Sequence, residues 1–351
     1  MTASLHFLDY SLIPLIGTFL KKVHDEETQV RQFILGAIAA LALSGQLHAQ
    51  GAQGWPSRPV KMVVPFTAGS FTDIAARALA KELATQLGQS FVVDNRVGAG
   101  GTIGVDAVAK AAPDGYTLLF GENSFAIAPS LYGSLPYDSA TDIVQIAQLA
   151  EVPAVLVASK SFAAADLKAL VQLARKQPGA INFGSAGQGT SAHLAMESLG
   201  LQAGITMTHI PYKGISAAIP ELIAGRIDIA IASIGTMGAY IREARVRGLA
   251  LSGSARHEQF PQIPTFAEQG YPDYSFMYWF GLMAPAGTPK DVRDKLQAAV
   301  FQAARQPELI KVLEAASVQP KPTTAREFSR RVRDEMTLWA SVIREAKVKP
   351  E

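Results

Sequence analysis

The chain has no cysteine among its 351 residues. Without thiols, disulfide bridges, thiolate metal sites and cysteine nucleophiles are excluded together. An excess of one charge sign is also missing, because 32 Lys and Arg residues stand against 30 Asp and Glu residues. No basic stripe accompanies this balance, so nucleic acid is not a predicted partner. The motif G-x-S-x-G and histidines at metal-binding spacing are absent too, so neither a hydrolase nor a metal or other cofactor is predicted.

A hydrophobic run of membrane-spanning length is lacking, and the nearest candidate indicates a leader. The apolar run 33–43 follows Arg31 and precedes the small-residue segment SGQLHA. This order is typical of a secretory signal peptide, whereas a bilayer span needs ~20 apolar residues. We predict a leader over residues 1–49, cleavage after Ala49 and export to the periplasm; an ordinary buried helix is the alternative. Residues 1–30 lie upstream of this signal and suggest an over-long translation start.

What the chain does contain is material for two α/β cores. Its hydrophobic content of 48% is enough for domains of roughly 100 to 200 residues. After Trp55, strand and helix patterns alternate, which is typical of βαβ units in parallel sheets. The apolar segments 143–159 and 275–287 interrupt this alternation and are long enough to cross between lobes. We predict residues 50–151 and 279–351 as the first lobe, 152–278 as the second, and a hinge near 152–156 and 278–282.

Two strand–turn–helix segments predict a pair of anion-binding helix ends. VVPFTAGSFTDIAARAL (63–79) has Ala68, Gly69 and Ser70 in its turn, and NFGSAGQGTSAHLAM (182–196) has Gly187 and Gly189. The first N–H groups of a helix lack intrahelical partners, and the helix dipole makes that end partly positive. Small turn residues let a ligand approach the backbone. A capped helix is the plain interpretation of either turn alone, but the recurrence in both halves favours anion binding across a cleft.

The same segments carry a family resemblance. In order, WPSRPVKMVVPF, DNRVGAGG, LYGSLPYD, INFGSAGQGTSAHL, HIPYKG and WFGLMAPAGTPK resemble the Bug family of periplasmic solute receptors, which serve tripartite tricarboxylate transporters. The resemblance extends from Trp55 nearly to the end of the chain. It implies a type II periplasmic-binding-protein fold, with two hinged α/β lobes that close on a small carboxylate. The protein is then expected to be a monomeric receptor without enzymatic activity or cofactor, with the membrane subunits of such a transporter as partners.

The resemblance also implies which residues bind the ligand. One carboxylate is held by two loops, often through ordered waters, and variable residues read the distal part of the ligand. The predicted contacts in the first loop are Phe66, Thr67, Ala68, Gly69, Ser70, Phe71, Thr72 and Asp73, and those in the second are Ser185, Ala186, Gly187, Gly189, Thr190 and Ser191. Asn123 and Ser124 join them because they follow the strand YTLLFGE, and α/β proteins place ligand contacts at strand ends. Trp279 is included because it lies on the second crossing.

The first loop departs from the family pattern. Ser70 and Phe71 replace small residues of the usual glycine-rich turn, so Phe71 is expected to narrow the pocket. An aromatic ring there could stack on a planar ligand, and Tyr278 and Trp279 add weight to an aromatic or dicarboxylic acid. Hinge packing of the three rings is the open alternative. Asp73 either caps its helix or accepts a hydrogen bond from the ligand.

Two other functions remain open at this point. DNRVGAGGTIG, followed by a strand and Glu122, imitates the fingerprint of a dinucleotide-dependent enzyme, although the glycine spacing does not match G-x-G-x-x-G. A periplasmic sensor receptor would use the same closing lobes and hand its liganded state to a signalling protein. His193, in the first turn of the second helix, is interpreted as a packing residue rather than a ligand contact.

Overall fold

This computed structural model describes residues 54–274 and 276–349, which contain ten strands, ten α-helices and two short 3-10 helices. The predicted leader and its cleavage point lie outside these residues. The described residues from Trp55 onward belong to one compact unit. The strands are β1 (Val60–Val64), β2 (Phe91–Asn95), β3 (Thr117–Gly121), β4 (Ile143–Ala158), β5 (Asn182–Ser185), β6 (Thr208–Pro211), β7 (Ile229–Ser233), β8 (Arg247–Leu251), β9 (Met277–Pro285) and β10 (Pro320–Thr324).

Helices follow most of these strands, as the alternating pattern predicts. They are α1 (Phe71–Leu87), α2 (Thr102–Ala109), α3 (Ser124–Leu131), α4 (Leu167–Lys176), α5 (Ser191–Ala203), α6 (Ile215–Ile223), α7 (Ile234–Arg242), α8 (Lys290–Ala303), α9 (Pro307–Ala315) and α10 (Ala325–Ala346). Local signals set several boundaries. Asp166 caps α4 by accepting from the N–H of Ala169, and Thr324 and Glu327 form a capping box at the start of α10.

The strands form two sheets that share β4. In the first sheet the order is β2-β1-β3-β9-β4-β10, and in the second it is β6-β5-β7-β4-β8. Residues 143–153 of β4 pair with β9, whereas residues 154–158 pair with β7 and β8. The sheet changes between Pro153 and Ala154, inside the segment predicted as a hinge. The predicted lobe boundaries and the hinge motion stay predictions.

The sheets are mixed rather than purely parallel. Pairings among β1, β2 and β3 and among β5, β6 and β7 are parallel, as expected for βαβ units. The crossing strands β4 and β9 run in opposite directions and therefore pair antiparallel with each other. The sequence pattern did not predict this pairing, because it depends on which remote segment returns beside β4.

Helix α10 packs against the crossing strands from one side. Its Phe328 and Trp339 are fully buried, and the Phe328 ring meets Trp279 of β9 edge-on at 4.9 Å between centroids. Arg331 of α10 is paired with Glu151 of β4, which also pairs with Lys321. In the described part of the chain, no helix is long and apolar enough to cross a membrane.

Candidate functional site

The turn between β1 and α1, residues 66–70 (the first turn), is held by its own helix. Ser70 is the N-cap residue and accepts from the N–H of Asp73 at 3.3 Å. Asp73 is 3% exposed and accepts from Gly69 N–H, from Arg77 and from Asn95. Burial alone would raise the pKa of Asp73, but these hydrogen bonds hold it below its usual value. The hydrogen bonds of the Asp73 carboxylate therefore stabilise the first turn, which supports the capping interpretation of this residue.

The turn between β5 and α5, residues 185–190 (the second turn), is folded by glycines and hydroxyl groups. Gly187 and Gly189 have φ angles of 130° and 69°, which only glycine adopts readily. Ser185 Oγ accepts from the N–H of Gly187 at 3.1 Å, and Thr190 Oγ1 donates to the carbonyl oxygen of Gly187 at 2.8 Å. The Thr190 hydroxyl thus donates its hydrogen bond within the turn. Its contribution to ligand binding would then be to order the backbone of the turn.

The start of α5 leaves backbone donors for an anion. The side chain of its N-cap residue, Thr190, makes no capping hydrogen bond to the helix within the described residues. The N–H groups of its first turn have no partner inside the helix, and the dipole of this 13-residue helix adds partial positive charge there. In α1, by contrast, Ser70 caps the start. The two helix ends are therefore not equivalent, although their sequences suggested a matched pair.

The predicted site residues differ widely in exposure. Thr67, Ala68 and Gly69 are exposed, and Phe66, Ser70, Ala186 and Gly187 are half-buried. The remaining predicted contacts are buried, namely Phe71, Thr72, Asp73, Asn123, Ser124, Ser185, Gly189, Thr190, Ser191 and Trp279. The accessible part of the predicted site is thus residues 66–70 of the first turn and residues 186–187 of the second.

Each turn contacts neighbouring elements through residues in or beside it. Ser191, the first residue of α5, donates its hydroxyl to Glu122 Oε2 at the end of β3, at 3.1 Å. An added Cβ on Gly189 would lie 1.8 Å from Leu131 Cδ2 of α3. On the other side, Phe71 packs edge-on against Phe280 of β9, with ring centroids 4.7 Å apart. The second turn therefore contacts the β3–α3 region, and the start of α1 contacts β9.

Strand β9 has two faces with different roles. Side chains alternate along a strand, so Tyr278 and Phe280 share one face and Trp279 lies on the other. Trp279 is fully buried, and its Nε1–H donates to Glu335 Oε2 of α10 at 2.8 Å. The expectation that Trp279 contacts the ligand has no support in this arrangement, which instead favours the alternative of packing. Phe280 was missed by the sequence reasoning, although the period of two along MYWFG could have found it.

Asn123 also has a structural position. It is fully buried, its amide nitrogen donates to Met277 O and Glu335, and its amide oxygen accepts from the N–H of Trp279. These bonds tie the end of β3 to β9 and α10. A ligand contact by Asn123 would require breaking them, so its neighbour Ser124, at the start of α3, is the better placed of the two. Beside Ser124 and Phe66 lies a cavity of about 10 Å³, room for about one water molecule.

Glu122 is the buried acid at the centre of this region. Its Oε1 accepts from the N–H of Ser124 at 3.1 Å, and its Oε2 accepts the Ser191 hydroxyl. Burial raises the pKa of Glu122, and the nearby carboxyl of Glu335 raises it further. Tyr278 lies close enough for its own pKa to be raised by burial and by Glu122. Glu122 thus connects the start of α3 to the start of α5. Its raised pKa favours the protonated, neutral acid.

Replacing Glu122 with glutamine should make the protein more stable than the wild type as the pH rises. A folded-state pKa above the unfolded value of 4.5 means that the acid contributes stability below that pH and loses it as the pH rises through the folded pKa. Glutamine stays neutral and keeps acceptor and donor groups for Ser124 and Ser191. Urea unfolding of both proteins at a series of pH values from 4.5 upward measures this difference.

The exposed Glu345→Gln serves as the control for loss of one surface charge. A stability difference between Glu122→Gln and wild type that shrinks with rising pH would contradict the assignment.

The described residues contain no group of three or more His, Asp and Glu side chains that could hold a metal ion. The donors at the site are backbone amides, hydroxyls and a buried acid. Such a set suits recognition of an anion by hydrogen bonds.

Comparison with known proteins agrees with this description. The sequence profile of the tripartite tricarboxylate transporter family receptor (TctC) matches residues 75–348. Protein BugT of Bordetella pertussis is 37% identical over 311 residues, which are 88% of this chain and 95% of that protein. MatC from Rhodopseudomonas palustris with bound malate is 32% identical, with a TM-score of 0.77, covering 82% of this chain and 100% of that one. An R. palustris protein with adipate has the same identity and a TM-score of 0.79, covering 85% and 100%.

These similarities confirm the α/β fold class and the Bug-family resemblance predicted from the sequence. The dinucleotide-dependent enzyme is excluded, because the matched family consists of solute-binding receptors rather than enzymes. A periplasmic location follows from the same membership. The chain belongs to the tripartite tricarboxylate transporter receptor family of periplasmic solute-binding proteins.

Proposed function

We propose that this receptor binds a small carboxylate between two lobes, residues 50–151 with 279–351 and residues 152–278, and delivers it to the membrane subunits of a tripartite tricarboxylate-type transporter. The observation that carries the proposal is the uncapped start of α5 directly after the glycine-containing second turn. Its first-turn amides are suited to a carboxylate. The related structures that contain malate and adipate support this ligand class.

The anchor works without a cationic side chain. Neither 66–73 nor 185–191 contains Lys or Arg. Two acids lie near instead, but Asp73 is tied to Arg77 and Asn95, and burial raises the pKa of Glu122. Oriented amides in a water-poor site can hold an anion without a salt bridge, because their dipoles are already fixed. The anchor would then recognise the carboxylate common to every acid in the class.

Selection among acids falls to the aromatic side of the site. Phe71 and Phe280 form an edge-to-face pair, and an added Cβ on Gly235 of α7 would lie 3.4 Å from Phe71. The ring of Phe71 thus lies between Phe280 of β9 and Gly235, which is in the helix that follows β7. We propose that Phe71 and Phe280 form an aromatic wall of the pocket, and that this wall selects ligands by the length and shape of their distal part.

Calorimetric titration of the purified protein against mono-, di- and tricarboxylates, malate and adipate included, tests the function. We expect saturable one-to-one binding of at least one acid. Mass spectrometry of small molecules released from freshly purified protein identifies the acid carried from the cell. Absence of binding across the panel, with no acid co-purifying, would overturn the proposal.

Replacing Phe71 with alanine should change the ranking of acids more than it weakens all of them. An aromatic wall responds to ligand shape, whereas the amide anchor responds to charge. Phe162→Ala is a control, because Phe162 is also 8% exposed and packs elsewhere, near Arg247. Titrations of both variants against the same panel measure the effect. An equal loss of affinity for every acid in Phe71→Ala would assign Phe71 to general packing.

A further inference from the structure

Three aromatic rings are stacked beneath the second turn. Phe183 of β5 lies against His209 of β6, with ring centroids 4.9 Å apart and an angle of 21° between the rings. His209 lies in turn against His193 of α5, at 3.8 Å and 10°. Phe183 and His209 are direct partners in the parallel pairing of β5 with β6. The stack thus connects two strands of the second sheet to the first turn of α5.

His193 accepts a hydrogen bond from the turn above it. Its Nδ1 lies 3.0 Å from the backbone nitrogen of Gly189. A backbone N–H can only donate, so Nδ1 carries no proton. The proton is then on Nε2, which faces Glu197 Oε1 at 3.5 Å. His193 is 3% exposed and fixed as one neutral tautomer.

His209 is fixed as the opposite tautomer. The side-chain nitrogen of Gln188 donates to Lys349 O at 2.9 Å, which leaves its Oε1 facing His209 Nδ1 at 3.0 Å. An amide oxygen only accepts, so Nδ1 carries the proton and Nε2 accepts the Ser185 hydroxyl at 2.6 Å. The hydroxyl has one proton, which this tautomer directs to His209 rather than to the Gly187 carbonyl oxygen at 3.0 Å. The two histidines together hold the second turn at Ser185, Gln188 and Gly189.

We propose that His193 and His209 are positioning residues for carboxylate binding, which hold the second turn so that the first-turn amides of α5 face the ligand. The inference rests on the proposed function. It explains why the Gly189 amide is turned inward: the amide is bound to His193, and the donors left for the ligand are those at the start of α5. Ser185 and Thr190, predicted as ligand contacts, then act by shaping the turn.

The stack favours two neutral rings. A proton added to His193 Nδ1 would remove the acceptor for Gly189, and one added to His209 Nε2 would remove the acceptor for Ser185. Burial lowers the pKa of His209 to about 3. Glu197 is the acid that faces the pair, from α5 itself. For His209, the hydrogen bonds and the effect of burial on its pKa therefore both favour the neutral ring.

Two substitutions of His193 separate positioning from packing. His193→Phe keeps an aromatic ring in the stack but lacks an acceptor, whereas His193→Asn places an amide oxygen near the position of Nδ1. We expect His193→Phe to weaken binding of malate, adipate or the tightest acid of the panel by about tenfold or more, since the buried Gly189 N–H is left unpaired. We expect His193→Asn to restore most of that loss. His257→Phe, a half-buried histidine bound to Ser317 O elsewhere, should bind like the wild type.

Urea unfolding of each variant shows whether a change in affinity follows a change in stability. Equal affinities for His193→Phe and the wild type, or equal losses in His193→Phe and His193→Asn that track stability, would overturn the inference.

Nuclear magnetic resonance of the ligand-free protein tests the turn independently of any ligand. Long-range proton–nitrogen spectra near neutral pH should find His193 protonated on Nε2 and His209 on Nδ1. Amide exchange of Gly189 should be slow in the wild type and in His193→Asn, and fast in His193→Phe. Other tautomers, or unchanged exchange in His193→Phe, would contradict the inference. Failure of the wild type to bind any acid would instead overturn the proposed function, while these spectra would still decide whether the histidines hold the turn.

Discussion

Replacing Gly189 with alanine should weaken carboxylate binding by roughly 10- to 100-fold while leaving the protein folded. The added Cβ would lie 1.8 Å from Leu131 Cδ2, so the second turn and α3 could not keep their present contact. Forcing extra atoms into a packed contact costs typically 1 to 3 kcal/mol, which corresponds to this range of affinity. The contact joins the second turn to α3. We therefore expect the substitution to raise the free energy of the ligand-bound form, in which this contact helps to enclose the ligand. Titration with the panel acid that binds most tightly measures it.

The backbone angle of Gly189 requires a separate control. Its φ of +69° would strain any other residue, whatever space is available. Gly204, at the end of α5, has a φ of +60°, and no atom of the described residues lies within 4 Å of an added Cβ. Gly204→Ala should therefore lose some stability but bind the acid normally. Adding Leu131→Val to Gly189→Ala should recover part of the affinity, because the shorter side chain yields space. Equal binding by Gly189→Ala and Gly204→Ala would show that the contact with Leu131 does not matter for the ligand.

Replacing Glu335 with leucine should lower the free energy of unfolding by roughly 3 to 5 kcal/mol, the usual cost of removing one member of a buried charged network. Glu335 Oε2 accepts from Asn123 and from the Trp279 indole, and Oε1 accepts from Arg331 Nε at 3.1 Å. Leucine would leave these buried donors without that acceptor. Only 14% of the Glu335 side chain is exposed, so water cannot fully replace it.

Urea unfolding of Glu335→Leu and of the exposed Glu345→Leu measures this effect. Both residues lie on α10, but Glu345 is exposed and accepts a hydrogen bond from Ser341, one turn away on the same helix. We expect Glu345→Leu to change the free energy of unfolding by less than about 0.5 kcal/mol. If Glu335→Leu behaved like Glu345→Leu, the network that joins β3, β9 and α10 would contribute little to stability.

The two turns illustrate how far local sequence signals reach. The starts of α1 and α5 and their glycines could be predicted because a cap and a left-handed backbone depend on residues within one turn. The Bug-family resemblance likewise needed only the order of short motifs, and the match to residues 75–348 confirms it. The motifs could not show whether the two turns are equivalent. In the structure, the side chain of Asp73 accepts the Gly69 N–H of the first turn, whereas His193 accepts the Gly189 N–H of the second. Which residues of either turn bind the ligand stays a prediction.

The sequence by itself determined the helix starts, the alternation of strand and helix, the absence of thiol chemistry and the family, because each depends on residues close in the chain or on composition. The tertiary structure alone decided that β4 serves both sheets, that Trp279 faces α10 while Phe280 meets Phe71, and that Glu122 is buried against Ser191. It also decided that His193 and His209 stack. The partners in these contacts lie far apart in the chain, so no local pattern encodes them. They form only when the strands pair and side chains from separate segments enclose the same space.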